Sequence, residues 1–232
     1  MWLLRRFWST DRSLTVLLLL LGLVIFVIQP LGELGVAGRL LISLFFSLIL
    51  ISGVGAVAKS ARTTALVGGL VLTSLAVRWL RLWLGGGSLV VSDALFSSLF
   101  CAILAVVVLA QVFREGPITS HRIQGAVAVY LLLGLAWAFA YELIALRWPH
   151  AFVPPSSASA NPSGDLTSRF VYFSFVTLTT VGYGDISAVH PVARSLVTIE
   201  ALTGQLFPAI LLARLVAMEV YYRQAKGSER RW

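Results

Sequence analysis

The chain has 232 residues, of which 58% are hydrophobic and only 12% are charged. Soluble globular domains contain about 45–50% apolar residues, so this composition argues against an ordinary soluble domain and indicates a membrane protein. The net charge of +8 does not indicate a nucleic-acid binder, because the basic residues lie mainly in short segments between apolar runs, where they control membrane topology.

Six apolar segments are long enough, or nearly so, to cross a bilayer, which requires about 20 helical residues. They occupy residues 13–30, 38–58, 63–84, 91–113, 122–147 and 191–220. The first follows a basic stretch, as the apolar region of a signal peptide does, but no small-residue cleavage site follows it. We interpret it as a retained helix, and the sequence therefore predicts an all-α membrane protein with six transmembrane helices.

Lys and Arg are distributed unevenly between the two sides that this order of helices defines. Eleven of them fall on the side that holds both termini, against six on the opposite side. The positive-inside rule then places the N- and C-termini in the cytoplasm and the Pro- and Ser-rich segment 150–165 outside. Because the connecting segments are short, the expected location is the inner (plasma) membrane of a bacterium.

Four parts of the chain are expected. They are a four-helix domain at 1–113, a cytoplasmic linker at 114–121, a second membrane domain at 122–220 and a short basic tail at 221–232. The fourth helix has no Lys or Arg before Arg114. Arg78 and Arg81 lie near the outer end of the third helix, where long basic side chains extend to lipid headgroups. Asp93 is a candidate partner for one of them, and the single Cys101 is expected to be a small packing residue.

The sequence LTSRFVYFSFVTLTT, at residues 166–180, lies between the last two spans. Its apolar part is too short to cross the membrane and predicts a re-entrant helix. The sequence TVGYGD follows, and non-helical backbone at membrane depth is tolerated only where protein buries it or where it lines water. Gly182 and Gly184 reach φ values denied to other residues. The extended backbone can therefore turn its carbonyl oxygens to one side, where a ring of them replaces the water around a monovalent cation.

The whole sequence TTVGYGD, after a short aromatic helix and between two spans, resembles the selectivity filter of the potassium channel superfamily. The resemblance covers residues 122–220, and the six-span order is similar to that of voltage-gated channels without the arginine-rich fourth helix. It implies a channel that conducts K⁺ passively, with weak or no voltage gating. One filter per chain implies a homotetramer with cyclic symmetry, surrounded by lipid.

The resemblance assigns roles by position. Permeant K⁺ is bound by Thr180, Val181, Gly182 and Tyr183. Support for the filter falls to Thr179, Gly184, Asp185, Tyr172, Phe173 and Glu200. The Tyr183 ring is expected to pack against the aromatic residues of the pore helix, Tyr172, Phe173 and Phe175. Candidates for a gate or hinge in the last span are Gly204, Phe207, Pro208 and Leu211, with Thr203 and Ile210 as further candidates for the cavity wall.

Several alternatives stay open at this point. Gly204 is either a hinge or a small residue for close helix packing. Glu142 and Glu200 either brace the filter from behind or make polar contacts that play no part in gating. The alternative functions are a non-conducting regulatory subunit and a weakly selective cation channel. An enzyme is not expected, because the three histidines are scattered in the sequence and form no catalytic or metal-binding pattern.

Overall fold

The computed structural model describes residues 10–31, 35–57, 61–84, 86–113, 119–153 and 166–229. Within these ranges there are seven helices: α1 (Thr10–Leu31), α2 (Gly35–Val57), α3 (Ala61–Leu84), α4 (Gly87–Val112), α5 (Ser120–Arg147), α6 (Leu166–Leu178) and α7 (Pro191–Glu229). Two short strands flank α6, β1 (Phe152–Val153) and β2 (Ser187–Ala188). The basic N-terminal segment 1–9, the linker at 114–118 and the loop at 154–165 lie outside the described residues.

Four of the described helices are long and apolar enough to cross a membrane. Their spans are Val67–Leu84, Gly87–Val112, Ser120–Arg147 and Pro191–Tyr221. Shorter apolar stretches occur in α1 (Leu14–Val27) and α2 (Leu40–Gly53). The predicted all-α membrane fold is therefore confirmed, and the chain is an integral membrane protein. The count of six spans stays a prediction.

Helix α5 lies at the centre of the packing, in contact with α1, α4, α6 and α7. Small residues let it approach its neighbours closely: a Cβ added to Gly125 would lie 3.0 Å from a methyl group of Val112 in α4. Leu132 and Leu135 are fully buried in the core that results. Cys101 of α4 is also fully buried, as expected of a packing residue. Close contact of this kind is how helices associate inside a bilayer.

A buried ion-pair cluster joins α3 to α4. Asp93 Oδ1 lies 3.0 Å from Arg78 Nη2, and its Oδ2 lies 2.8 Å from Arg81 Nη1. Arg78 also donates a hydrogen bond to Ser97, and its guanidinium lies 4.1 Å from the centroid of the Phe46 ring. Arg78 is only 6% exposed, so its expected extension to the headgroups is wrong: the carboxylate holds it among the helices. Asp93 pairs with both arginines rather than with one.

Candidate functional site

The short helix α6 precedes the TVGYGD loop, as predicted. Its 13 residues span about 20 Å at 1.5 Å per residue, less than the ~30 Å hydrocarbon core of a bilayer. Phe170 and Phe173 on its buried side pack edge-on with Phe152 of β1, at centroid distances of 4.9 and 5.6 Å. Tyr141 of α5 completes this cluster, 5.3 Å from Phe173. The aromatic residues therefore anchor α6 to α5 and β1.

The backbone of the loop alternates between positive and negative φ. Thr180, Gly182 and Gly184 have φ values of 61°, 57° and 76°, while Val181 and Tyr183 between them do not have positive φ. No atom lies within 4 Å of a Cβ built on either glycine, so the conformation rather than the space requires glycine there. The sequence assigned Thr180 to the ion site but did not predict its positive φ. A β-branched residue rarely adopts positive φ, and strained residues of this kind cluster at functional sites.

The first amide groups of the loop bond to the end of α6. Four N–H groups donate to helix carbonyls over 2.9–3.2 Å: Thr179 to Phe175, Thr180 to Thr177, and Val181 and Gly182 both to Val176. These carbonyls belong to the last turn of the helix and have no partner within it. The bonds satisfy both sets of groups and hold the N–H groups of the loop on the side of α6.

Glu200 of α7 is fully buried and lies between α5 and α6. Its Oε2 is 2.5 Å from the hydroxyl of Tyr141 in α5, and its Oε1 is 2.5 Å from Oγ of Ser174 in α6. Ser174 Oγ also lies 2.7 Å from the carbonyl oxygen of Gly134. Three helices therefore meet at one carboxyl group. Neither Tyr141 nor Ser174 was singled out from the sequence.

Both ends of α6 are also attached to α5. Near the start, Thr167 Oγ1 donates to Glu142 Oε2 at 2.9 Å. At the end, the Tyr130 hydroxyl donates to the carbonyl of Leu178 at 3.0 Å. Glu142 thus contacts the beginning of α6, whereas Glu200 contacts its middle. The two acids that the sequence singled out in the spans both contact this short helix.

Gly204 allows α7 to touch the end of α6. A Cβ at this position would lie 1.9 Å from the carbonyl oxygen of Leu178 and 2.7 Å from its carbonyl carbon. These atoms are backbone and cannot turn aside as a side chain can, so the contact supports close packing as the reason for glycine. Pro208 lies one turn later and has no N–H to donate to the Gly204 carbonyl, although α7 continues through it. A hinge at this turn stays a prediction.

The other gate candidates differ in their surroundings. Phe207 stacks on Tyr130 of α5 at a centroid distance of 6.0 Å, and Leu211 packs against the same core. Ile210 is 59% exposed. Ile210 is therefore more accessible than Phe207 or Leu211 to another copy of the chain or to a water-filled path.

The return from the loop to α7 is fixed by contacts that the sequence did not reveal. Strands β1 and β2 pair antiparallel, with Phe152 opposite Ala188. The carboxylate of Asp185 accepts a hydrogen bond from the backbone of Ile186 and interacts with the Tyr172 hydroxyl. Tyr183, in contrast, is 71% exposed. In the described part of the chain Tyr183 has no ring contact with Phe173, which packs on α5 and β1, whereas Tyr172 lies close to Asp185 and Tyr183.

Comparison with known proteins identifies the part of the fold that contains this loop. Residues 128–220 match the family model described as an ion channel. Protein LctB of Geobacillus stearothermophilus is 33% identical over 82 residues, which are 35% of this chain and 60% of the relative. Protein LctB of Bacillus caldotenax is 31% identical over 87 residues, 38% of this chain and 64% of the relative. The chain thus spans less than two thirds of these curated relatives. No solved structure matches it.

The matched residues begin within α5, include α6 and the TVGYGD loop, and end in α7. They therefore enclose every contact described above between the loop and its supporting helices. The family is one of ion channels and not of enzymes. Residues 128–220, which contain the TVGYGD loop, are therefore similar to an ion channel domain.

Proposed function

We propose that four copies of this chain form a K⁺-selective channel in which residues 180–183 bind the permeant ion. Backbone carbonyls of Val181, Gly182 and Tyr183 are the ligands, with the carbonyl and hydroxyl oxygens of Thr180 at the inner site. The observation that carries the proposal is the alternation of φ at residues 180, 182 and 184.

Alternation of φ changes where the carbonyl groups point. In a regular strand, successive residues face opposite sides. Alternating right- and left-handed residues instead gather the N–H groups on one side, which leaves the carbonyls on the other. Here the first N–H groups are bonded to the end of α6, so the carbonyls are available on the opposite face. A ring of such oxygens substitutes for the hydration shell of K⁺.

One loop cannot surround an ion, so the proposal requires several copies around an axis. The exposure of the loop in one chain supports this: Val181 is 53% and Tyr183 71% exposed. Leu202, Leu206 and Ile210 of α7 are each more than half exposed as well. A cyclic tetramer covers such faces with the same faces of neighbouring copies, and lipid covers the outside.

The remaining features of the proposal concern the whole chain. We propose that α1 and α2 also cross the membrane, which gives six spans with both termini in the cytoplasm of a bacterial cell. The four helices at 1–113 then precede the pore domain at 122–220 in the chain, and α1 and α4 pack on α5 of that domain. Arg78 is held by Asp93 in a buried ion pair. Moving one elementary charge through a potential of 100 mV yields only ~2.3 kcal/mol. Because Arg78 is held in this ion pair and α4 has no row of basic residues, weak or no voltage dependence is expected.

Purified protein in planar bilayers and proteoliposomes tests the proposal. Reversal potentials in mixed K⁺ and Na⁺ should show preference for K⁺, and Gly182→Ala should abolish selective flux, because an added Cβ disfavours positive φ. Gly69→Ala is the matched control, since Gly69 is helical and nothing lies within 4 Å of its Cβ position. Equal permeability to Na⁺ would indicate a weakly selective channel, and a silent wild type would indicate a regulatory subunit.

A further inference from the structure

We infer that Glu200 is a neutral, protonated carboxylic acid whose proton completes a hydrogen-bonded clamp across α5, α6 and α7. The inference deepens the proposed function, on which it rests, because it identifies a residue that positions the filter without touching the ion. It depends on four oxygen-bearing groups whose contacts are given above: Tyr141, Glu200, Ser174 and the carbonyl of Gly134.

The number of protons in the clamp requires one on Glu200. Three oxygen–oxygen contacts lie in sequence: Tyr141 to Glu200 at 2.5 Å, Glu200 to Ser174 at 2.5 Å, and Ser174 to the Gly134 carbonyl at 2.7 Å. Each contact needs a hydrogen atom between its two oxygens. Tyr141 and Ser174 each supply one hydroxyl proton, and a carbonyl supplies none. The third proton must belong to the carboxyl group.

One arrangement satisfies all three contacts. Glu200 Oε1–H donates to Ser174 Oγ, Ser174 donates to the Gly134 carbonyl, and Tyr141 donates to Glu200 Oε2. With an ionised Glu200, Ser174 could serve only one of its two acceptors. The other contact would bring two oxygen atoms to hydrogen-bond distance with no hydrogen between them.

The surroundings of Glu200 also disfavour a charge. The residue is fully buried, and in the described part of the chain it makes no ion pair. Asp93 provides the contrast within the same molecule, because that buried carboxylate is paired with two arginines. A buried carboxylate without such a partner is costly and is normally neutralised by taking up a proton.

The clamp acts on the filter through α6. Ser174 lies one turn before Leu178, and the carbonyls of the intervening turn accept the N–H groups at the start of the loop. Holding Ser174 between α5 and α7 therefore holds the end of α6 in place. The carbonyl groups of that helix end accept the hydrogen bonds of the first N–H groups of the loop. Glu200 is in this sense a positioning residue for the filter.

Infrared spectroscopy of the full chain in lipid bilayers tests the protonation directly. Wild type should show the carbonyl stretching band of a protonated carboxylic acid at neutral pH, and Glu200→Gln should lose it. Glu142→Gln is the matched control and should keep it, because Glu142 lies outside the clamp and contacts Thr167. Glu142 is also buried, so the decisive quantity is the difference between the spectra of wild type and Glu200→Gln. Absence of a band from wild type, or an unchanged band in Glu200→Gln, would overturn the inference.

A second variant keeps the test independent of how Glu200→Gln folds. Tyr141→Phe retains the ring but removes the donor to Oε2, the carbonyl oxygen in this arrangement. The band should therefore remain and move to higher frequency, and a band that did not move would contradict the proposed hydrogen-bond order. Neither measurement requires conduction, so a wild type that shows the band without selective K⁺ flux would refute the proposed function and leave the protonated Glu200 standing.

Discussion

The two long helices on either side of the filter loop are similarly apolar but are buried to very different extents. Within an 18-residue stretch of the span Ser120–Arg147 in α5, 56% of the residues are buried, against 11% within such a stretch of the span Pro191–Tyr221 in α7. Helix α5 has neighbours on several sides, including α1, α4 and α6. Helix α7 uses a narrow stripe that includes Ala193, Glu200 and Gly204 to contact the rest of the chain.

This difference shows which part of the fold is complete within one chain. A helix that is hydrophobic all round normally lies inside a protein or a membrane. Helix α5 finds its packing partners within the chain, whereas α7 leaves Leu206 and Leu212 on an open face. The stripe that α7 does bury is small or polar and is fitted to α6. Helix α7 therefore contacts α6 on one side and, in the proposed channel, faces neighbouring copies and lipid on the other.

The largest effect should come from filling the contact between α7 and α6. Gly204→Ala places a Cβ where the Leu178 carbonyl oxygen lies 1.9 Å away, so α7 must move off the end of α6. We expect complete loss of selective K⁺ flux and a strongly lowered thermal stability in detergent. Unchanged flux would show that α7 is not held against α6 as described.

Substitution of one leucine in each helix tests the difference in burial between α5 and α7 directly. Leu132 of α5 is fully buried, whereas Leu206 of α7 is 52% exposed. Leu132→Ala should lower the free energy of unfolding by about 2–5 kcal/mol, the cost of a core cavity. Leu206→Ala should leave the fold of each chain intact but increase the dissociation of the oligomer, measured by light scattering after dilution in detergent. Equal effects on unfolding would contradict the difference in burial.

A change from glycine to alanine should be tolerated better at the contact between α5 and α6 than at the contact between α7 and α6. A Cβ on Gly134 would lie 2.6 Å from the Phe175 ring, but a ring can shift where backbone cannot. Gly134→Ala should cost about 1–3 kcal/mol of stability, as overpacking does, with K⁺ selectivity preserved. Thermal unfolding and reversal potentials, compared with those of Gly204→Ala, provide the check.

The smallest effect is expected at the bond between Tyr130 and the Leu178 carbonyl. Tyr130→Phe removes this single hydrogen bond while keeping the ring that stacks on Phe207. The loss should be about 0.5–1.5 kcal/mol, the typical net contribution of one bond. Chemical denaturation should detect it, and selectivity should change little. A large loss of selectivity would contradict this expectation, because it would mean that this one hydrogen bond at the end of α6 controls the geometry of the filter.

The sequence by itself determined the features that depend on one residue type or on one short segment. The long apolar runs predicted the all-α membrane fold, the short aromatic segment predicted α6, and the glycines of TVGYGD predicted positive φ at 182 and 184. Each of these follows from local chemistry: apolar length decides whether a helix can cross a bilayer, and glycine alone reaches positive φ without strain.

Only the tertiary structure decided how those elements support one another. Thr180 adopts positive φ against its own preference, in a loop whose first N–H groups bond to the end of α6. Arg78 is buried rather than extended to headgroups, since Asp93 of another helix neutralises it, and Glu200 meets Ser174 and Tyr141 from two further helices. Such contacts join residues far apart in the chain, and their energies depend on packing and burial that no local pattern encodes.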